Sequence, residues 1–318
     1  MIDKLPFLLW PRKHTLTTLI FHRVVPVLDP MRPGEPDPLQ FDQLMRFIAK
    51  HFSVLSLSEA IDRLERGTLP RRTCSITFDD GYADNLMIAL PILEKYHLPA
   101  TVFVATGYLD GGCMFNDAII DSISFAKKAA IDLEDLDLGI LPIASNEDKN
   151  TAISAILNHI KFSPPKLRAQ QVTHVINAAE CRELPTNLML TSQQVRELEQ
   201  RGVEIGGHTD KHTILNTLDD DEALEEILTG KNRLESIISK PITSFAYPNG
   251  KPGRDYSPRH AALVKKAGFK RAVSTAQGVA VRNSDIFQLP RFTPWGNNKF
   301  KMAMQLIRNA HRGASGVP

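Results

Sequence analysis

The chain has 318 residues, of which 42% are hydrophobic and 23% are charged, so it has enough apolar sequence for one large core or two ordinary ones. Its formal net charge of +2 excludes the strong global field by which many proteins bind nucleic acid. No stretch approaches the roughly 18 consecutive apolar residues of a membrane-spanning helix. We therefore expect no transmembrane segment and no nucleic-acid partner.

The N-terminus carries a short apolar run at 5–10, which is shorter than the core of a signal peptide and has no small-residue cleavage site after it. The cysteines Cys74, Cys113 and Cys181 are far apart and odd in number, which predicts free thiols rather than a disulfide framework. Both observations favour the cytoplasm, where thiols stay reduced. The alternative is the periplasm or the cell surface, if a leader has been removed.

Short apolar, β-prone runs recur along the chain and alternate with segments of helical spacing. The predicted strands cover 16–21, 53–57, 74–78, 101–105, 203–206, 242–247, 271–274 and 286–289. The predicted helices cover 41–51, 58–66, 83–97, 193–200, 219–239 and 257–267. This alternation predicts a parallel sheet with helical crossovers, and the number of strands favours a closed β/α barrel over an open sheet.

One segment interrupts the alternation. Between about 113 and 188 the sequence shows helical patterns and polar loops, and no run that predicts a strand. We therefore expect a single domain over 1–318 with a helical insertion at about 113–188. Because the insertion follows the predicted strand 101–105, we expect it to lie at the carboxyl ends of the strands, where it would wall a substrate groove.

Polar residues follow several of the predicted strands, each at the point where the strand ends. They are His22, the pair Asp79–Asp80, His208, Tyr247 and Arg291. In a parallel barrel the carboxyl ends of all strands form one rim. These residues are therefore predicted to converge on a single cavity.

The pair Asp79–Asp80 is followed by Gly81, whose conformational freedom allows a turn that aims both carboxylates inward. One carboxylate can then bind a metal ion while the other acts as a base. The alternative interpretation is an exposed Asp-Asp-Gly turn that caps a helix.

His208 and His212 are separated by four positions, which places both imidazoles on one side of a helical turn and is typical of zinc chelation. The alternative is a pair of surface histidines. A carboxylate at the end of another strand favours the metal site, because zinc accepts nitrogen and oxygen ligands and keeps a position open for water in catalytic sites.

Four segments resemble the motifs of one enzyme family. TFDDG at 77–81 and HTDKH at 208–212 are similar to the first two motifs of the polysaccharide deacetylases, the NodB-homology or carbohydrate esterase 4 group. SFAYPNG at 244–250 resembles the third motif, in the form found in the branch that acts on poly-N-acetylglucosamine and related exopolysaccharides. LIFHRV at 19–24 resembles the N-terminal strand of that branch. The resemblance covers about 16–112 and 188–295.

The resemblance implies a distorted (β/α)7 barrel and a metal-dependent hydrolase that removes N-acetyl groups from a polysaccharide or glycan. It implies Asp79 as the general base that activates water at the metal. Asp80, His208 and His212 are implied as the metal ligands, and the backbone N–H of Tyr247 as a donor to the oxyanion.

The late L-x-L-x-H motif, which supplies the general acid in most of the family, is absent from the C-terminal part of this sequence. Because the exopolysaccharide branch carries this element at the N-terminus, His22 is implied as the acid that protonates the leaving amine. The alternative for His22 is a core histidine under the first strand. Arg291 resembles the arginine that approaches the catalytic base and would keep Asp79 ionised. Its alternative is a surface arginine before a turn.

Tyr247 and Trp295 are candidate stacking faces for a sugar ring, with core packing as an equal alternative for Trp295. Pro248 and Asn249 complete the predicted substrate contacts, and the expected partner is an N-acetylated glycan. The resemblance implies a divalent metal, with Zn²⁺ expected and Co²⁺, Ni²⁺ or Fe²⁺ as alternatives, because one aspartate and two histidines do not select among them.

Two other functions stay open. An enzyme with the same fold could deacetylate a small, lipid-linked or nucleotide-linked amide or sugar. A non-catalytic carbohydrate-binding protein is the second alternative, and the presence of Asp79 argues against it, because metal binding alone does not require that residue.

Overall fold

The structure is a computed structural model that describes residues 10, 14–294 and 299–312, with the backbone alone at 299 and 300. The strands in these ranges are β1 Leu16–Phe21, β2 Ser53–Val54, β3 Thr73–Phe78, β4 Ala100–Val104, β5 Ala130–Leu133, β6 Gly139–Pro142, β7 Glu204–Gly207, β8 Ser244–Ala246 and β9 Arg271–Val273. None of the helices in these ranges combines the length and the apolar character needed to cross a bilayer.

The helices are α1 Pro38–His51, α2 Leu57–Arg66, α3 Leu90–Lys95, α4 Phe115–Phe125, α5 Asn146–Ile160, α6 Pro165–Ala178, α7 Ser192–Gln200, α8 Asp220–Ile238, α9 Pro258–Lys266 and α10 Lys299–Arg312. A π-helical segment, Asn85–Ala89, leads directly into α3. All the helices predicted from apolar spacing are present, because their ends carry strong local signals. Helix α8, for example, begins after Asp219, whose side chain accepts the N–H of Glu222 in a capping box.

The strands that position the polar residues form one parallel sheet in the order β1-β3-β4-β7-β8-β9, with β2 paired to the beginning of β3. Every residue of β1 and β3 is buried, as expected for parallel strands covered on both faces. The two edges of the sheet are joined by the segment 286–292. The Ala272 N–H donates to the Ile286 carbonyl, and the Phe292 N–H donates to the Thr18 carbonyl at 2.8 Å. These bonds close the sheet into a distorted barrel.

The prediction of a regular strand at 286–289 is wrong. Leu289 makes a single parallel bridge to Val273 in β9, and three residues later Phe292 makes one to Leu19 in β1. Because the chain crosses between two strands within these few residues, and Pro290 has no N–H to donate, no ladder can extend along either neighbour. The segment therefore closes the barrel through single bridges.

The insertion contains α4, α5 and α6 around its own apolar cluster, which includes Ile119, Ile153 and Val175. It also contains an antiparallel hairpin of β5 and β6, so the expectation that the insertion has no strand is wrong. Each strand has only four residues and carries a polar or exposed residue at alternate positions, which gives too short a pattern to separate from loop. The hairpin is stabilised by Ile131 and Leu133, which pack into the cluster.

Candidate active site

The polar residues singled out in the sequence lie where parallel strands end. β1, β3, β7 and β8 stop at Phe21, Phe78, Gly207 and Ala246, and the next residues are His22, Asp79, His208 and Tyr247. Because these strands run in one direction, all four ends lie at the same rim of the barrel.

Asp80, His208 and His212 form a cluster with the composition of a metal site. One ligand atom from each lies within 4.8 Å of the others, and all three residues are buried. The Oδ1 atom of Asp80 lies 3.3 Å from Nε2 of His208 and 3.3 Å from Nε2 of His212. A tetrahedral ion with bonds of about 2.0–2.1 Å separates its ligand atoms by about 3.3–3.4 Å. The two distances therefore fit one ion bound between these residues.

Hydrogen bonds around the cluster leave the coordinating atoms available. His208 donates from Nδ1 to the Ala246 carbonyl oxygen at 2.7 Å, which fixes the tautomer with a lone pair on Nε2. Asp80 Oδ1 is buried and has no hydrogen-bond donor among the described residues. A buried carboxylate oxygen without a donor is costly unless a cation meets it. The residues present therefore fit a divalent ion.

The electrostatics of the cluster point the same way. Burial lowers the pKa of His212 to about 3, so its imidazole is neutral, as a ligand must be. Burial also acts against a charge on His208, but Asp79 and Asp80 outweigh it and raise the pKa of that imidazole. Two buried carboxylates beside one imidazole attract positive charge, and a bound cation would supply it.

The backbone at these positions is unusual. Asp80 has φ 75° and Gly81 has φ 87°, while Thr209 and His212 have φ 61° and 49°. Such left-handed conformations are unfavourable for residues with a Cβ atom and persist where the surroundings impose them. They turn the chain sharply after β3 and β7, which aims the ligand side chains at each other.

Arg291 lies against Asp79 in the barrel interior. Its Nη1 and Nη2 atoms donate to the two carboxylate oxygens at 2.6 and 2.7 Å, and its Nε donates to the Ser274 carbonyl. Burial alone would raise the pKa of Asp79, but the Arg291 guanidinium, together with His208 and His22, outweighs it and lowers that pKa. Asp79 is therefore ionised at neutral pH.

His22 reaches the same rim from the end of β1. Its side chain is half-buried and lines a cavity of about 670 Å³ that Glu35 and Thr293 also border. After the larger effects of Arg291 on Asp79 and of His212 on Asp80, His22 also lowers the pKa of each carboxyl. His22 therefore lies on the same side of the barrel as both carboxylates, and it borders a cavity.

The structure does not support the predicted roles of Tyr247. Its side chain has no exposed surface, its ring stacks at 3.7 Å on Tyr256, and its hydroxyl donates to the Phe287 carbonyl, so it offers no face to a sugar. Its backbone N–H donates to the Val273 carbonyl oxygen at 3.2 Å, so this donor is already used by the sheet. The run SFAY at 244–247 is buried along its whole length, so Tyr247 belongs to the core rather than to the cavity.

The next residues of the motif are better placed. Pro248 is buried, and Asn249 is half-buried with φ 57°, a conformation that asparagine tolerates better than most residues. No acceptor for the Asn249 N–H is found in the part of the chain that the structure describes. Asn249 therefore has the free backbone donor that was predicted at Tyr247. Trp295, the other predicted stacking residue, lies outside the described residues.

Sequence reasoning missed a buried ionic network beside the turn that follows β3. Arg23 pairs with Asp84 at 2.8 Å, and the Tyr82 hydroxyl donates to Asp117 of helix α4 at 2.7 Å. Arg32 also pairs with Asp117, at 3.0 Å. The network connects the insertion to the turn that carries Asp80. Its members are scattered over the sequence, and no local pattern relates them.

Comparisons with known proteins agree with this architecture. The family model for polysaccharide deacetylase matches residues 66–134 and 144–272. The chain is 22% identical over 254 residues to the putative polysaccharide deacetylase YxkH of Bacillus subtilis. This match covers 79% of this chain and 63% of that protein. It is 35% identical over 71 residues to the poly-beta-1,6-N-acetyl-D-glucosamine N-deacetylase of Staphylococcus epidermidis. This shorter match covers 22% of this chain and 25% of that protein. The chain thus spans less than two thirds of the length of either relative.

Solved structures share the fold over nearly the whole chain. The Streptococcus pyogenes deacetylase PplD in complex with acetate matches with a TM-score of 0.60 at 20% identity. The match covers 93% of this chain and 97% of the PplD chain. IcaB from Ammonifex degensii matches with a TM-score of 0.57 at 17% identity. The match covers 92% of this chain and 96% of the IcaB chain. The predicted fold class is confirmed. Because the family model also matches well over half of the residues, the chain belongs to the polysaccharide deacetylase family.

Proposed function

We propose that this protein is a metal-dependent hydrolase that removes N-acetyl groups from an N-acetylated glycan. The observation that carries the proposal is that two adjacent carboxylates have separate partners: Asp80 faces two imidazoles, and Asp79 is held by Arg291. A protein that only binds a metal needs the first arrangement and not the second. The name of the Staphylococcus epidermidis relative supports an amide of an amino sugar as the substrate.

Asp80, His208 and His212 would hold the ion, with Zn²⁺ expected and Co²⁺, Ni²⁺ or Fe²⁺ as alternatives. A divalent ion at this position supplies Lewis-acid polarisation of the amide carbonyl and acidifies water. The remaining chemistry is assigned to side chains of the rim.

Asp79 accepts a proton from the attacking water as the water oxygen bonds to the acetyl carbon. Arg291 holds both oxygens of Asp79, so the carboxylate stays ionised and keeps its orientation. The N–H of Asn249 is the proposed donor to the oxygen that becomes negative, and one such donor contributes about 3–4 kcal/mol in other acyl transfers.

His22 gives its proton to the amine nitrogen as the carbon–nitrogen bond breaks, which releases acetate and a free amino sugar. An amine leaves poorly without this proton. The half-exposed position of His22 beside a cavity lets it reach the substrate and exchange its proton with solvent.

The test is acetate release from oligomers of β-1,6-linked N-acetylglucosamine, chitin oligomers and N-acetylglucosamine, with and without a chelator. We expect release that the chelator abolishes and added Zn²⁺ or Co²⁺ restores. The matched variant is Asp79→Asn, which should keep the metal content, measured by plasma mass spectrometry, and lose turnover. If the metal-loaded protein releases no acetate from any of these N-acetylated substrates, the site binds a metal without catalysing deacetylation.

A further inference from the structure

Helix α6 of the insertion carries a buried arginine without a partner. Arg168 is only 5% exposed, and its Nη1 atom is buried with no hydrogen-bond acceptor among the described residues. An uncompensated charge in such a position is unfavourable, and natural proteins rarely keep one unless an anion reaches it. Burial lowers the pKa of Arg168, and Tyr108 and Glu226 only partly offset that effect.

The guanidinium is held in place and remains accessible. Its Cζ atom lies 4.6 Å from the centre of the Phe115 ring on helix α4, a cation–π contact that restrains the group. Stacking occupies a face of the guanidinium and leaves its N–H edge free. None of the guanidinium nitrogens has an acceptor in the described chain. Nη1 is buried, whereas Nε and Nη2 are not among the buried atoms. A ligand can therefore approach that edge.

The position of Arg168 relates it to the candidate active site. Tyr108 and Glu226 both hold Lys211: the Tyr108 hydroxyl donates to the Lys211 carbonyl at 3.0 Å, and Glu226 accepts the Lys211 N–H at 2.9 Å. Lys211 directly precedes His212 in the sequence. Phe115, which the guanidinium contacts, directly follows Met114, and Met114 packs in one apolar cluster with Tyr82 and Tyr108. Tyr82 lies two residues after Asp80, so this cluster places the arginine beside the turn that carries a proposed metal ligand.

We propose that Arg168 binds an anionic group of the substrate, so that the preferred substrate is an N-acetylated sugar with a carboxylate or a phosphate beside the acetamido group. This inference rests on the proposed deacetylase function and adds the chemical class of its substrate. The planar N–H fork of arginine matches the paired oxygens of both anions. A neutral glycan leaves the buried cation unpaired, which discriminates against it.

The first measurement compares kcat/KM for matched substrates. N-acetylglucosamine 1-phosphate is compared with N-acetylglucosamine, and a disaccharide of glucuronic acid and N-acetylglucosamine is compared with diacetylchitobiose. The two pairs distinguish a phosphate from a carboxylate. We expect the protein to prefer at least one anionic member by tenfold or more, as one charge-assisted contact typically gives about tenfold to hundredfold.

Three variants assign that preference. Arg168→Gln should remove the preference by lowering kcat/KM for the anionic member more than for the neutral one, while Arg168→Lys should keep part of it. Lys166→Gln, which removes the same charge from an exposed position of the same helix, should change neither. Equal turnover of neutral and anionic members by the unmodified protein, or an equal loss on both in Arg168→Gln, would overturn the inference.

A binding measurement separates this inference from the proposed activity. Glucosamine 1-phosphate and glucosamine carry no acetyl group, so titration calorimetry follows their binding without turnover. The corresponding carboxylate probe is the de-acetylated glucuronate disaccharide. Anion-dependent binding that disappears in Arg168→Gln supports the anion site even if no acetate is ever released. Acetate release without any Arg168-dependent binding or preference rejects the anion site and leaves the deacetylase function standing.

Discussion

Arg291 holds Asp79 through two parallel hydrogen bonds, from Nη1 to Oδ1 at 2.6 Å and from Nη2 to Oδ2 at 2.7 Å, although 212 positions separate the two residues. Both side chains are buried. The same arginine donates to Thr77 of β3 and to the Ser274 carbonyl after β9, so it also ties together strands from opposite parts of the sheet. The orientation of Asp79, the proposed base, and a side-chain link across the barrel therefore depend on the same residue.

Replacing Arg291 should affect activity and stability together. In Arg291→Gln the buried carboxylate of Asp79 loses its partner, which typically costs about 3–5 kcal/mol, and its pKa should rise. We expect a large loss of kcat and a lower urea midpoint, with a smaller loss in Arg291→Lys. In the double variant Asp79→Asn with Arg291→Gln, much of the stability should return, because no buried charge is left unpaired. Additive effects of the two substitutions on the free energy of unfolding would contradict this account.

The metal site should be detectable without any substrate. A ligand that binds only the folded state raises its stability by mass action, so Zn²⁺ should raise the melting temperature of chelator-treated protein. His212→Gln and Asp80→Asn should lose that rise, whereas Asp79→Asn should keep most of it. The shift is measured by differential scanning fluorimetry. Equal shifts in all four proteins would indicate that the ion binds elsewhere.

His22→Ala should separate proton donation from metal binding. We expect the turnover of an N-acetyl sugar to fall by about 10²–10⁴-fold, the usual range for a general acid, with unchanged metal content. Hydrolysis of p-nitrophenyl acetate should fall much less, because nitrophenolate leaves without a proton. Parallel losses on the amide and the ester would assign His22 a structural role.

Gly230 allows the loop with the two histidines to pack against helix α8. A Cβ atom at this position would lie 2.6 Å from the Thr209 carbonyl oxygen, a backbone atom that cannot move alone. Helix propensity predicts that Gly230→Ala stabilises the protein by about 1 kcal/mol. We expect the opposite sign, a loss of about 1–3 kcal/mol from overpacking, together with weaker Zn²⁺ binding. Thr229→Ala, at an exposed position of the same helix, is the control and should show neither loss in urea unfolding.

His260 should make stability fall in mild acid. Burial lowers its pKa to about 4, below the value of roughly 6.5 in the unfolded chain, and its Nδ1 accepts the Ser257 N–H at 3.1 Å. Between those two pH values the unfolded state binds more protons, so the free energy of unfolding decreases as the pH falls through this window. His260→Gln should flatten the pH dependence measured by urea unfolding, and the exposed His159→Gln should leave it as it is. An unchanged slope in His260→Gln would remove this residue from the acid sensitivity.

The local sequence predicted more of the fold than of the site's surroundings. Helices with capping residues and apolar spacing were predictable because their signals lie within a few residues of each other. The hairpin of β5 and β6 was not, because four-residue strands carry too little periodicity. The placement of Tyr247 was not predictable, because its motif does not tell whether its ring faces the cavity or the core, where Tyr256 stacks on it.

The sequence by itself determined the identity of the metal-binding and catalytic candidates, because Asp79, Asp80, His208 and His212 occur in short motifs directly after apolar strands. The tertiary structure alone decided the partners of such side chains: Arg291 reaches Asp79 only after the barrel closes, and Arg168 contacts Phe115 only after the helices of the insertion pack together. The physical reason is the distance along the chain between the residues that interact. Backbone turns and strand ends depend on neighbouring residues, whereas charge pairing in a buried cavity depends on atoms that chain closure brings together.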